Sequence, residues 1–174
     1  MTTNRLEGVT EKLTPTSLSL INVRVGGRPD GPTMVCWPSL MMDGTMWQYQ
    51  HKHFAPTHRV VLIDSPGHGK SDALRKIIDL KDCSDALVEI LDTLDIDKCV
   101  LVGNSWGGML AGVLPAYYPQ RTTAAISPWP GPCAASSSAA RTSTPPEHHQ
   151  ERTRPDPRRR GGQPVPRARG AENG

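Results

Sequence analysis

Several signatures are missing from this 174-residue chain, and each absence excludes a class of protein. No apolar run approaches the roughly 20 residues that a membrane-spanning helix needs. The stretch Met1–Glu7 has no apolar segment of the kind that drives secretion, so no secretory signal is expected. The four cysteines, Cys36, Cys83, Cys99 and Cys133, include no C-x-x-C pair and have no histidine at metal-ligand spacing. Cys36 and Cys99 sit in apolar runs and read as small core residues. A reducing, cytoplasmic setting with no structural metal is the expectation. The net charge is only +3, so no global field argues for nucleic acid.

The charge is unevenly placed. Residues 127–174 carry eight arginines against four acids, while residues 1–126 carry twelve basic and thirteen acidic groups. The body is an ordinary globular sequence long enough for one core. The segment from Ser127 holds nine of the seventeen prolines and no Leu, Ile, Met, Phe, Tyr or Lys. Such a composition buries too little apolar surface to offset the entropy of ordering, so a disordered Pro/Arg/Ala-rich tail is expected over 127–174. The change falls inside the strand-like run Thr122–Ile126. It resembles GC-rich coding sequence read in a shifted frame, so the expectation is a flexible stretch over 1–14 and a partial domain over 15–126.

Within that body, elements of two periods alternate. Ser17 to Val25 alternates apolar and polar, with a phase slip at Leu20-Ile21 that predicts a bulge or a strand break. The turn-rich stretch 26–32 and the run Thr33–Trp37 follow; together they predict an antiparallel pair and then a buried strand. Asp43 to Phe54 predicts a helix with Met46, Trp47 and Phe54 inward. Thr57 to Asp64 is a strong buried strand that runs into the loop Ser65-Pro66-Gly67-His68-Gly69. Ala86, Leu87, Ile90, Leu91 and Leu94 share one face of a helix over Asp82–Leu94, capped by Asp79 or Asp82. A strand over 99–102 and a helix from Trp106 to about Tyr117 come next, the latter expected to kink or shorten at Pro115. Alternating strands and helices predict an α/β fold with a doubly wound, mainly parallel sheet. In such sheets reactive groups lie at the carboxyl ends of the strands.

The chemistry concentrates at Gly103-Asn104-Ser105-Trp106-Gly107-Gly108, directly after the apolar run 99–102. A Gly-x-Ser-x-Gly element between strand and helix demands a sharp turn with Ser105 strained at its apex. Gly103 and Gly107 are expected where strand and helix crowd each other. Ser105 is the candidate nucleophile, and the Trp106 N–H is one candidate oxyanion donor. The loop after Trp37 supplies the second: Ser39, with Leu40 as the neighbouring alternative.

These motifs carry a resemblance. Asp64-Ser65-Pro66-Gly67-His68-Gly69-Lys70-Ser71 resembles the D-x-P-G-x-G-x-S loop of α/β-hydrolase-fold enzymes, and 103–108 matches their nucleophile elbow. Ser39 to Trp47 is similar to the S-L-x-x-D-x-x-M-W stretch of 3-oxoadipate enol-lactonase-like members. The D-S-P-G-x-G-K-S and G-N-S-x-G-G wording also resembles the meta-cleavage C–C hydrolases. One departure stands out: the His-Gly usual in the oxyanion loop is Trp37-Pro38 here, and Pro38 has no N–H. The resemblance implies acyl transfer from a small ester or lactone to water through Ser105, with no cofactor. Serine at the elbow argues against dehalogenase chemistry.

No residue is assigned as triad acid or triad base. The family base follows the nucleophile in the chain, so His68 reads as a turn residue and Asp64 as a strand-end residue that fixes its loop. His148 and His149 follow Ser105 but lie among Pro, Thr and Arg, and Asp156 lies between two prolines. The expectation is a serine hydrolase by origin, inactive as written for want of the acid and the histidine. The alternative is a non-catalytic product whose basic tail, with Arg158-Arg159-Arg160, binds acidic partners. The arginine cluster has no interleaved aromatics, so a solvated tail without specific nucleic-acid binding is preferred. The pattern specifies no oligomeric state.

Overall fold

The computed structural model describes residues 6–127. The expectations for the tail, including Cys133, His148, His149, Asp156 and the arginine cluster, lie outside the described residues. Six strands form one sheet: β1 (Val9–Pro15), β2 (Leu20–Gly27), β3 (Thr33–Trp37), β4 (Arg59–Ile63), β5 (Cys99–Gly103) and β6 (Thr122–Ile126). The spatial order is β1-β2-β4-β3-β5-β6. Pairings β1–β2 and β2–β4 are antiparallel; β4–β3, β3–β5 and β5–β6 are parallel.

The buried strands show why the sheet carries layers on both faces. In β3, Val35 and Trp37 point to one face and Met34 and Cys36 to the other, and all four are buried. A strand apolar at every position needs cover on both sides. The first face, with Val23, Val61, Ile63 and Leu101, packs under α2 (Leu80–Thr93) and α3 (Trp106–Tyr117). The second, with Val60 and Leu62, packs under Trp47 of a 3-10 turn (Gly44–Trp47) that leads into α1 (Gln48–Phe54). This is the doubly wound α/β arrangement.

Two elements depart from expectation, β1 and the helix over 43–54, and two others follow it. The sheet begins at Val9, not at residue 15, so residues 9–14 are strand and not a flexible stretch. β1 lies at the sheet edge with only Thr14 buried, so it shows little apolar alternation and holds its place by backbone pairing to β2. The phase slip at Leu20-Ile21 is a strand break: residues 16–19 form a turn in which the Thr16 N–H donates to Ser19 O at 3.0 Å. The helix expected over 43–54 begins as the 3-10 turn, with Asp43 Oδ1 accepting from the Thr45 N–H at 2.8 Å. Trp47 is buried there, Met46 and Phe54 only partly, and His51 is buried as well. Finally, α3 ends at Tyr117, as expected, with Pro115 inside its last turn. Proline there removes one backbone bond in the last full turn, and the helix tolerates it.

The cap of α2 uses both candidate acids. The Asp79 carboxylate accepts from the Asp82 N–H at 2.8 Å, and the Asp82 carboxylate accepts from the Asp79 N–H at 3.2 Å, a reciprocal capping box.

Candidate active site

The β5–α3 junction follows from two glycines. An added Cβ at Gly103 would lie 1.8 Å from Gly107 O, and one at Gly107 would lie 2.3 Å from Trp37 O. Only hydrogen fits at either position, so helix, β5 and the end of β3 meet backbone to backbone. The chain turns at Ser105 with φ 52° and ψ −111°. Positive φ in a residue with a side chain is strained, and it persists where the surroundings over-determine it. The turn is fixed by the Gly107 N–H donating to Asn104 O at 2.9 Å and the Met109 N–H donating to Ser105 O at 2.9 Å. Ser105 is exposed. The Trp106 N–H opens the helix, a position with no intrahelical acceptor.

Parallel register brings the second loop alongside. Trp37 pairs with Gly103, and the Asn104 N–H donates to Trp37 O at 3.3 Å. The chain leaving β3 through Pro38 and Ser39 therefore runs beside the chain leaving β5 through Asn104 and Ser105. Pro38 O would lie 3.0 Å from a Cβ on Gly107. Ser39 is half-buried and opens a turn that closes with the Met42 N–H on Ser39 O at 3.3 Å. Leu40 is exposed, and Met41 takes φ 63°. All three sequence-derived candidates, Ser39, Trp106 and Ser105, thus lie at the carboxyl ends of two adjacent strands.

A third strand end carries a charge network that sequence reading only touched. Asp64 is fully buried at the end of β4. It takes both arms of Arg24, Nη1 at 2.5 Å and Nη2 at 3.2 Å. It also accepts from Asn22 Nδ2 at 2.9 Å, the Gly44 N–H at 2.7 Å and the Lys70 N–H at 3.0 Å. Burial alone would raise the Asp64 carboxyl; the Arg24 pair and the three N–H donors outweigh it and hold the group below the usual carboxylate range. Glu11 extends the network, accepting from Lys70 Nζ at 2.5 Å and Arg24 Nε at 2.9 Å. The Lys70 contact leads in keeping Glu11 below its ordinary value. Arg24 falls in the polar phase of the alternating β2 and is nonetheless buried. The one available signal was its place among Ile21, Val23 and Val25, opposite an acid that ends an apolar strand.

The loop after Asp64 is locked by the same atoms. Ser71 Oγ donates to Asp64 O at 2.8 Å and accepts from the Asn22 N–H at 2.9 Å. Gly69 has φ 55°, and a Cβ there would lie 2.4 Å from Asp64 Oδ2. The reading of Asp64 as a residue that fixes its loop agrees with this geometry. His68 belongs to the loop as a turn residue, its Nδ1 3.0 Å from Pro66 O.

The other described histidines serve α1 and its exit. His51 is buried, and burial pushes its imidazole below the ordinary value. His53 and His58 stack edge-on against Phe54. Among the described residues no cluster of three or more His, Cys, Asp or Glu is arranged to hold a metal ion, and no helix is long and apolar enough to cross a membrane.

Comparison with known proteins fits this geometry. Residues 32–145 match the family described as alpha/beta hydrolase fold. The chain is similar to epoxide hydrolase 4 of Mus musculus, 42% identical over 76 residues, which is 42% of this chain and 21% of that protein. It is similar to 3-oxoadipate enol-lactonase 1 of Acinetobacter baylyi, 35% identical over 101 residues, 58% of this chain and 38% of that one. In fold it resembles naproxen esterase of Bacillus subtilis, with a TM-score of 0.63 at 22% identity over 67% of this chain and 41% of that one. It also resembles Est816, described as an N-acyl homoserine lactone degrading enzyme, with a TM-score of 0.60 at 33% identity over 65% of this chain and 42% of that one. The chain therefore spans between about a fifth and two fifths of these relatives. A nucleophile-elbow turn, a sheet wound on both faces and a family match over most of the body lead to one assignment: this chain belongs to the α/β hydrolase fold family.

Proposed function

We propose that this chain carries the nucleophile and oxyanion hole of a serine hydrolase for small esters or lactones. The observation that carries the reading is Ser105 at φ 52°, at the apex between β5 and α3 and beside the loop that leaves β3. Ser105 Oγ attacks the substrate carbonyl carbon, and the carbonyl oxygen takes up the negative charge. The N–H groups of Trp106 and Ser39 hold that oxygen, with Leu40 as the alternative to Ser39. The alcohol leaves, and water hydrolyses the acyl-enzyme. The similarity to an enol-lactonase and to a lactone-degrading enzyme supports this substrate class.

Ser105 must lose a proton to a base. The four described histidines, His51, His53, His58 and His68, are held by α1, by Phe54 and by the loop after β4. A serine without a positioned base is a weak nucleophile at neutral pH. Removing the base of a comparable triad lowers turnover by about 10⁶-fold. We propose the same attenuation for this chain, with the non-catalytic reading as its limit.

The experiment is active-site labelling with an alkyl fluorophosphonate, in which a P–O bond to Ser105 forms and fluoride and a proton leave. Slow labelling that maps to Ser105 and vanishes in Ser105→Ala is expected. An adduct on another serine would overturn the nucleophile assignment. Fast labelling lost in Ser105→Ala would retain the nucleophile and overturn the attenuation; His68→Ala and His148→Ala would then locate the base.

A further inference from the structure

Three non-glycine residues among those described have positive φ: Met41 at 63°, Asp95 at 53° and Ser105 at 52°. Side chains disfavour that region, so each needs a reason. Asp95 has one in the end of α2. Its N–H donates to Asp92 O at 3.2 Å and the Ile96 N–H donates to Leu91 O at 2.9 Å, the two bonds of a left-handed helix terminator. Ser105 has one in the elbow, where Gly103 and Gly107 let strand and helix meet backbone to backbone. Met41 ends no helix: it lies between β3 and the 3-10 turn at Gly44–Trp47. Strain of this kind persists where the surroundings fix the backbone, and it gathers at functional sites.

The loop itself shows what the strain does. The Met42 N–H donates to Ser39 O at 3.3 Å, so Ser39–Met42 is a β-turn with Met41 at its third position. Positive φ at that position alone is the type II geometry. The commoner type I turn joins the same ends with Met41 at negative φ and with its central peptide turned over. The Leu40 C=O and the Met41 N–H then exchange sides. That peptide adjoins the two candidate donors, the N–H groups of Ser39 and Leu40. A carbonyl swung to the oxyanion side would repel the charge those groups hold. Met41 belongs to neither apolar cluster of the described residues, so core packing of its side chain does not account for the choice of turn.

We propose that Met41 is a positioning residue: its left-handed backbone selects the turn that keeps the Ser39 and Leu40 N–H groups aimed at the oxyanion beside Ser105. The proposal rests on the reading of Ser105 as nucleophile and of this loop as half of the oxyanion hole. The backbone angle at residue 41 acts, not the methionine side chain. Glycine adopts positive φ freely and asparagine several-fold more often than most residues, whereas β-branched residues avoid it. Met41→Gly and Met41→Asn therefore keep the turn and discard the apolar side chain. Met41→Val and Met41→Ile keep an apolar side chain and drive the turn toward the other form.

The test labels the full chain with the alkyl fluorophosphonate, the P–O bond forming as fluoride and the serine proton leave. The phosphorus NMR shift of the Ser105 adduct is the second readout, because it senses the hydrogen bonds to the phosphoryl oxygen. The Gly and Asn variants should label within about twofold of the parent rate and give the parent shift. The Val and Ile variants should label about tenfold slower or more, with a moved shift, since a misdirected donor forfeits part of the roughly hundredfold or more that one oxyanion N–H supplies. Met41→Thr, β-branched but polar, serves if both of these fail to fold. A merely structural role would move the urea midpoint and leave the adduct shift of the folded chain unchanged. Equal rates and shifts across the set, or a loss in the Gly and Asn variants with Val and Ile unaffected, would overturn the proposal and leave Ser105 as nucleophile. An adduct on another serine in the parent chain would remove the nucleophile assignment and the proposal together.

Discussion

Replacing Asp64 by alanine removes the centre of the buried network. Arg24 then stays buried, with its Nη1 and Nη2 contacts at 2.5 Å and 3.2 Å gone and only Glu11 at Nε, 2.9 Å away. Breaking a buried pair by deleting one partner costs about 3–5 kcal/mol, because an uncompensated charge remains. The surviving Glu11 contact places this case near the lower end, about 3 kcal/mol. The Gly44 and Lys70 N–H groups also lose their acceptor, at about 1 kcal/mol or more each. The total is a large fraction of the 5–15 kcal/mol typical of a domain. Urea unfolding followed by tryptophan fluorescence measures it. The double variant Arg24→Met/Asp64→Leu removes both charges and leaves only the orphaned N–H groups. It should be less destabilised than the sum of its parts by about 2 kcal/mol. The pH dependence has a definite sign. The folded Asp64 carboxyl lies below its ordinary 3.8, so its stabilisation is present above that value and is lost as pH falls through the folded value. A cost for Asp64→Ala below about 1 kcal/mol, or strict additivity in the double variant, would refute this reasoning.

Other outcomes follow from single positions. Gly103→Ala drives a methyl to 1.8 Å from Gly107 O, where only backbone could yield, so the unfolding free energy from urea titration should drop by about 3 kcal/mol or more. His51 sits folded below its ordinary 6.5, so the unfolded chain takes the proton first; stability should fall as pH drops below about 6.5, and His51→Gln should flatten that limb. Burial pushes the thiols of Cys36 and Cys99 up to about 12 and that of Cys83 up to about 11. In a Cys133→Ser background, iodoacetamide at mildly alkaline pH should therefore label the native chain negligibly and the urea-unfolded chain at three sites. Asp79→Ala removes one half of the capping box and should lower stability by about 1 kcal/mol in thermal unfolding.

How much of this was legible in the sequence varied with where each residue spends its side chain. Met34–Trp37 and Val60–Ile63 are apolar on both faces and announce buried strands without help from context. The elbow was legible for a different reason: a Cβ on Gly103 or Gly107 would collide with neighbouring backbone, and glycine leaves a visible mark. β1 was not legible, because an edge strand is held by its neighbour's backbone and needs no apolar face of its own. The burial of Arg24 was not legible, because alternation tells which face a residue takes, not whether a buried acid waits there. His51 failed similarly: nothing in Gln48-Tyr49-Gln50-His51 distinguishes the imidazole packed near Gly26 from one in water.

The most direct test of the central claim is a crystal structure of the chain after phosphonylation of Ser105. The account predicts the adduct on Ser105 Oγ, with the phosphoryl oxygen about 2.7–3.1 Å from both the Trp106 nitrogen and the Ser39 or Leu40 nitrogen. A phosphoryl oxygen turned to solvent, or an adduct on any other residue, would contradict it.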